Sequence, residues 1–137
     1  MDERRTLGPS DLAIRAGIVG LALSTGLIHS TLGGLMFTLC AIGYFVAAGA
    51  MVVPLGIAIR FRWLVRLGLI GYTASVIAGW YVMGPRYDVA YLAKAIEMAL
   101  IGLLALDFAR LDGNPITVVR RRLLAPFRDL RRGAARP

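Results

Sequence analysis

The stretch whose reading decides the fold is Asp88–Arg110, DVAYLAKAIEMALIGLLALDFAR. It is apolar enough to sit in a bilayer, yet it carries Lys94 and Glu97 three residues apart. Ionisable groups are rare in a transmembrane helix, and those that occur face a partner, a cavity or each other. At about 1.5 Å of rise per residue, Lys94 lies ~9 Å and Glu97 ~13–14 Å in from Asp88. In a hydrocarbon core about 30 Å thick, Glu97 then approaches the midplane. Lys94 can snorkel outward along its own stem, whereas Glu97 has a shorter reach. The cheapest relief for Glu97 is an ion pair with Lys94, one turn away, or protonation.

Composition supports the same reading. Of 137 residues 58% are hydrophobic, and 16 glycines come on top of that share. Soluble domains have about 45–50% apolar residues with glycine included. The mean hydropathy is +0.68, and the excess lies in long runs, the membrane signature. Cys40 is alone inside such a run, so the chain has no intrachain disulfide and no CxxC oxidoreductase motif. Arg4, Arg5 and Arg15 around the first run resemble the basic start of a signal peptide. No A-x-A-like site follows and three more runs do, so the run reads as a retained helix.

The expected architecture is an all-α membrane protein, a four-transmembrane-helix bundle with a C-terminal basic amphipathic segment. Residues 1–11 form a short amino-terminal segment, 12–110 the transmembrane domain, and 111–137 the tail. The spans fall at about 12–28, 35–59, 63–83 and 88–110. Ser10 is the expected N-cap of the first, with Asp11 favourably placed against the helix dipole. Ala16, Gly20 and Ser24 form a small-residue seam on that span, and Gly71, Ser75 and Gly79 form another on the third. Such seams let helices approach closely. Pro54 and Gly56 are expected to kink the end of the second span.

Charge sets the expected orientation. All but Arg86 and Lys94 of the 16 basic residues lie on the amino-terminal side of span one, around the connection between spans two and three, or at and beyond the end of span four. Under the positive-inside rule both termini are cytoplasmic, and the turns at His29 and Arg86 face outward. In the tail, Ile116, Val119, Leu123, Phe127 and Leu130 recur at three- and four-residue steps among Arg120, Arg121, Arg122, Arg128, Arg131 and Arg132. That pattern fits an amphipathic helix on anionic lipid head groups. The alternative is a basic tail that only enforces topology. The net charge of +8 therefore points to the membrane and not to nucleic acid, since no recognition fold accompanies it.

The same depth count places Tyr44, Tyr72 and Thr73 in the layer of Glu97, where their hydroxyls can serve it. His29, Arg86, Asp88 and Tyr91 are expected higher up, as an outward-facing polar vestibule with Tyr87. Asp107 has a ready partner in Arg110 at i+3. One histidine cannot supply two axial imidazoles to a haem, and no metal-ligand cluster, nucleophile elbow, P-loop or glycine fingerprint occurs. No cofactor and no enzymatic activity are expected.

His29 after the first span, Leu35-Met36-Phe37 opening the second, and the run from Tyr91 to Glu97 in the fourth are similar to a group of small bacterial membrane proteins with four predicted spans. The resemblance covers the four-span region and not the tail. It implies a bacterial inner-membrane location and carries no function with it. Small multidrug transporters have similar length but keep their essential acid in the first helix. Here the first span has no acid after Asp11, and the arginine bias argues against dual topology. The first functional expectation is a non-enzymatic structural or accessory subunit of a homo-oligomer or larger complex. The alternative is a small proton-, ion- or solute-transporting protein using Glu97, Lys94 and His29.

Overall fold

Gly8-Pro9 starts the first helix in the computed structural model, which describes residues 8–53, 61–111, 113–114, 116–117 and 120. Proline's fixed φ is already helical and its missing N–H is not needed in the first turn. The helix therefore begins at Pro9, and the cap is Gly8 rather than Ser10. Asp11 reaches back to accept a hydrogen bond from the Gly8 N–H at 3.1 Å.

Among the described residues four long helices follow in order: α1, Pro9–Thr31; α2, Leu35–Val52; α3, Arg62–Met83; and α4, Asp88–Leu111. Each is long and apolar enough to cross a membrane, which fits a multi-pass membrane protein. No strand occurs among the described residues. Gly33 and Gly34, at φ 72° and 85°, make the left-handed turn between α1 and α2 that other residues adopt at a cost. The second helix stops at Val52 and does not run to Ile59 as a helix among the described residues. Val53 is extended, with ψ 125°, the conformation that a residue preceding a proline in the sequence favours. Residues 54–60, and with them the expected kink at Pro54 and Gly56, lie outside the described residues. The turn from α3 to α4 is tied by Trp80 Nε1, which donates to the Pro85 carbonyl at 2.8 Å.

The chain forms two compact units, residues 1–107 and 108–137. In the first, α1 lies along α2, α2 meets α3, and Gly17 of α1 meets Leu103 of α4. The apolar core is Ile18, Ala22, Tyr44, Ala48, Met51, Leu69, Leu100 and Leu104. The partition is the reverse of a soluble protein's. Leu35, Met36, Val46, Leu92 and Met98 are exposed, while Thr25, His29, Arg66, Thr73, Lys94, Glu97 and Asp107 are buried. That partition suits a lipid surround, and within the second set Thr25, His29, Arg66, Glu97 and Asp107 find polar partners across helices.

The small-residue seams divide into used and unused. Ala16, Gly20 and Ser24 are exposed, and a Cβ on Gly20 would meet open space. The buried face of α1 is instead Ile18, Ala22, Thr25, Gly26 and His29. Gly43 of α2 is used: the Tyr72 hydroxyl lies 2.5 Å from where its Cβ would stand and donates to the Cys40 carbonyl at 3.1 Å. In the second unit, Gly113 closes the last turn of α4 by donating to the Phe108 carbonyl at 3.2 Å. Arg120 is exposed. The remaining head-group arginines, Arg121, Arg122, Arg128, Arg131 and Arg132, lie outside the described residues.

Gly43→Ala forces Tyr72 away from Cys40 and should destabilise the bundle by about 1–3 kcal/mol, the range for overpacking. Gly20→Ala, which meets nothing, should not. Thermal unfolding of the two variants in the same detergent checks the contrast; equal losses would contradict this packing.

Candidate functional site

Glu97 has no exposed surface, and side chains from two helices converge on its two oxygens. Lys94, three residues earlier on α4, donates to Oε2 at 2.5 Å. The Thr25 hydroxyl of α1 donates to Oε1 at 3.2 Å. His29 Nε2, also from α1, stands 3.6 Å from the same Oε1. Thr25 and His29 are four apart, so one helical face aims both at α4.

The His29 tautomer follows from its other contact. Nδ1 lies 2.8 Å from the Thr25 carbonyl, which can only accept, so Nδ1 carries hydrogen. The neutral ring then turns the Nε2 lone pair toward a carboxylate oxygen. A proton placed at Nε2 converts that contact into an ion pair. The ring is held from the α2 side by Phe37 and Tyr44, with centroids 6.0 and 5.6 Å away. Tyr44 in turn meets Tyr72 edge-on at 5.2 Å. The fully buried Tyr44 hydroxyl neighbours Thr73 and Glu97 and makes no hydrogen bond of standard length and angle.

Beside the cluster lies a partly open cavity of about 450 Å³. It is lined by the end of α1, the start of α2, the end of α3 and the start of α4, including His29, Phe37, Tyr72, Trp80, Tyr87 and Lys94. Glu97 does not line it. The cavity therefore reaches the carboxylate through Lys94 and His29.

The residues singled out from sequence separate accordingly. Contacts link Glu97 to Lys94 and His29, His29 to Tyr44, and Tyr44 to Tyr72, with Thr73 beside the Tyr44 hydroxyl. His29 is not a turn residue but sits in the last turns of α1, only 3% exposed. Lys94 does not snorkel outward; it is 8% exposed and folded back onto Glu97, whose charge it neutralises. Arg86, Asp88 and Tyr91 are exposed and absent from the cavity wall. Arg86 donates to the Tyr81 carbonyl and lies over the Trp80 ring, 5.4 Å from its centroid, while Tyr91 packs edge-on against Trp80 at 5.3 Å. Thr25 was not singled out, although its four-residue spacing from His29 was the available signal.

A second buried pair joins the other ends of α3 and α4. Asp107 Oδ2 lies 2.6 Å from Arg66 Nε, so α3 supplies a partner that i+3 spacing to Arg110 did not suggest. Arg66 belongs to the basic group around the connection between spans two and three, yet it is 3% exposed. Its position one turn inside α3 and that of Asp107 inside an apolar run were the clues.

No protein-family model, curated protein or solved structure matches this chain. Among the described residues no group of His, Cys, Asp and Glu is placed to hold a metal ion.

Lys94→Met leaves Glu97 as a buried charge without its cation and should cost about 3–5 kcal/mol, as breaking buried pairs does. Lys94→Met combined with Glu97→Gln removes both charges and should recover most of that loss. Unfolding of the single and double variants in detergent measures the coupling; additive losses would contradict a direct pair.

Proposed function

We propose that this chain is a multi-pass protein of the bacterial inner membrane that moves protons, ions or a small solute through the site formed by Glu97, Lys94 and His29. One observation carries the reading: a buried, ionisable cluster borders a partly open cavity through two of its members. A cluster serving only to lock helix register has no need of such access. The basic residues support an orientation with both termini in the cytoplasm, which turns the cavity outward. Between the cluster and the Arg66–Asp107 pair lie the buried Leu100 and Leu104 of α4 with Ile18 and Ala22 of α1. Access from one side only is what alternating access requires of one of its states.

The reading as a structural or accessory subunit keeps one specific support. The seam of Ala16, Gly20 and Ser24 is exposed along α1 and fits close approach by a second copy or a partner helix. The two readings are compatible, because a transporter of this size gains from an oligomer. The basic tail, with Arg120, Arg121, Arg122, Arg128, Arg131 and Arg132, is proposed to bind anionic phospholipids of the cytoplasmic leaflet.

Proteoliposomes holding a pH-sensitive dye should show proton flux when a pH gradient is imposed. Glu97→Gln should insert normally and abolish that flux; unchanged flux would remove Glu97 from the pathway. The isolated tail should bind anionic vesicles with an affinity that falls as salt is raised. Replacing its six arginines should weaken binding by roughly 1 kcal/mol each, and salt-insensitive binding would contradict the electrostatic account.

A further inference from the structure

We propose that the cavity takes up a lipophilic organic monoanion, a carboxylate on an apolar body, together with one proton: Lys94 holds the carboxylate and His29 the proton. This rests on the reading of the site as a transport centre and names its substrate class. The lining points to that chemistry. Its ionisable members include the ammonium of Lys94 and the imidazole of His29, and among the described residues no Asp or Glu contributes to the wall. The remaining surface is largely apolar and aromatic, with Phe37, Trp80 and Met83. A space of about 450 Å³ lies within the roughly 300–1,000 Å³ of cavities that hold small organic ligands. A cationic ligand would meet Lys94 as a like charge.

The cluster also explains why a proton must accompany the anion. Lys94 already neutralises Glu97 at 2.5 Å, so with a neutral imidazole the cluster has no net charge. An anion arriving alone would bring an uncompensated charge into a desolvated site, which is costly. His29 removes the obstacle. Its Nδ1 is committed to the Thr25 carbonyl at 2.8 Å, so an added proton goes to Nε2, 3.6 Å from Glu97 Oε1. The imidazolium then becomes the counter-ion of Glu97. Lys94, with three donors on its ammonium, is released to pair with the ligand carboxylate. The loaded site holds two cations and two anions. One proton moves from water to His29, and no other bond changes. The titratable groups around His29 are Glu97 and Lys94 from α4, Tyr44 and Cys40 from α2, and Tyr72 from α3. The thiol and phenols supply no further positive charge.

Trp80 lines the cavity and serves as reporter once the other of the 2 tryptophans is removed by Trp63→Phe. The full chain in lipid nanodiscs is titrated with decanoate, and with decanol and decylamine as neutral and cationic counterparts. Decanoate should bind at least about tenfold more tightly than either. Between about pH 8 and about pH 6, inside the range where an imidazole changes charge, its affinity should rise toward about tenfold per pH unit, the slope for one proton per anion. His29→Gln should flatten that slope. Glu97→Gln, which frees Lys94, should bind decanoate more tightly than the parent at about pH 8 and without pH dependence. The double variant Lys94→Met, Glu97→Gln leaves no buried charge unpaired, so it should fold and lose decanoate binding. Equal binding of decanol, a flat pH profile in the parent, or weaker binding by Glu97→Gln would each overturn the proposal. Glu97-dependent proton flux in a protein that binds no decanoate overturns the anion assignment and leaves the transport reading standing. Decanoate binding with the stated pattern but no such flux upholds this site and removes the transport reading.

Discussion

The constraint on which the rest of this structure depends is a carboxylate with no exposed surface in the middle of an apolar helix. Glu97 cannot reach water, so its oxygens must be satisfied from within. Lys94 supplies the charge from one turn away, and α1 supplies the Thr25 hydroxyl and the His29 ring. Those contacts fix how α1 and α4 are rotated and how far each slides along the other. Turning either helix by one residue would take Thr25 and His29 away from the acid and leave Oε1 unsatisfied in a medium that cannot solvate it. Buried ion pairs add little net stability compared with apolar packing, whereas these contacts between helices exist only in one alignment. The cluster therefore works first as an alignment device, and only a device already aligned can hold a proton at a defined nitrogen.

The second buried pair extends the argument along α4. Glu97 and Asp107 are ten residues apart, about 15 Å of helix. One faces α1 and the other α3, so α4 is pinned to two neighbours at two depths. The leucines between them, Leu100 and Leu104, join Ile18, Ala22, Ala48 and Leu69 in the apolar core. Polar layers separated by an apolar layer leave the cavity accessible to one polar layer only. The aromatic set of Phe37, Tyr44 and Tyr72 backs the His29 side of that layer, and glycine at position 43 is what admits Tyr72.

Much was legible from residue order. Four apolar runs, and an ionisable pair set one turn apart inside the fourth, are one-dimensional properties, and hydropathy with helical periodicity is enough to read them. Reading one helix at a time left two points incomplete. Spacing along α4 offered Lys94 the pair with Glu97 that forms, and its stem offered it the outer water; for Asp107 that spacing offered only Arg110, whereas Arg66 arrives from α3. A long side chain chooses between water and a buried acid by what surrounds it, and the deep Glu97 with its α1 partners makes the inward choice cheaper for Lys94. Arg66 likewise looks like a boundary marker until α4 brings Asp107 against it.

The sequence by itself determined that this chain has four helices suited to a membrane, with one acid too deep to reach water, because hydrophobic length and rise per residue do not depend on neighbours. Only the tertiary structure decided which face of each helix turns inward. That choice left the Ala16–Gly20–Ser24 seam outside, brought Thr25 and His29 onto Glu97, and moved Arg86, Asp88 and Tyr91 away from the site. Helix rotation is set by the simultaneous satisfaction of buried polar groups on different helices, and no single segment contains that information.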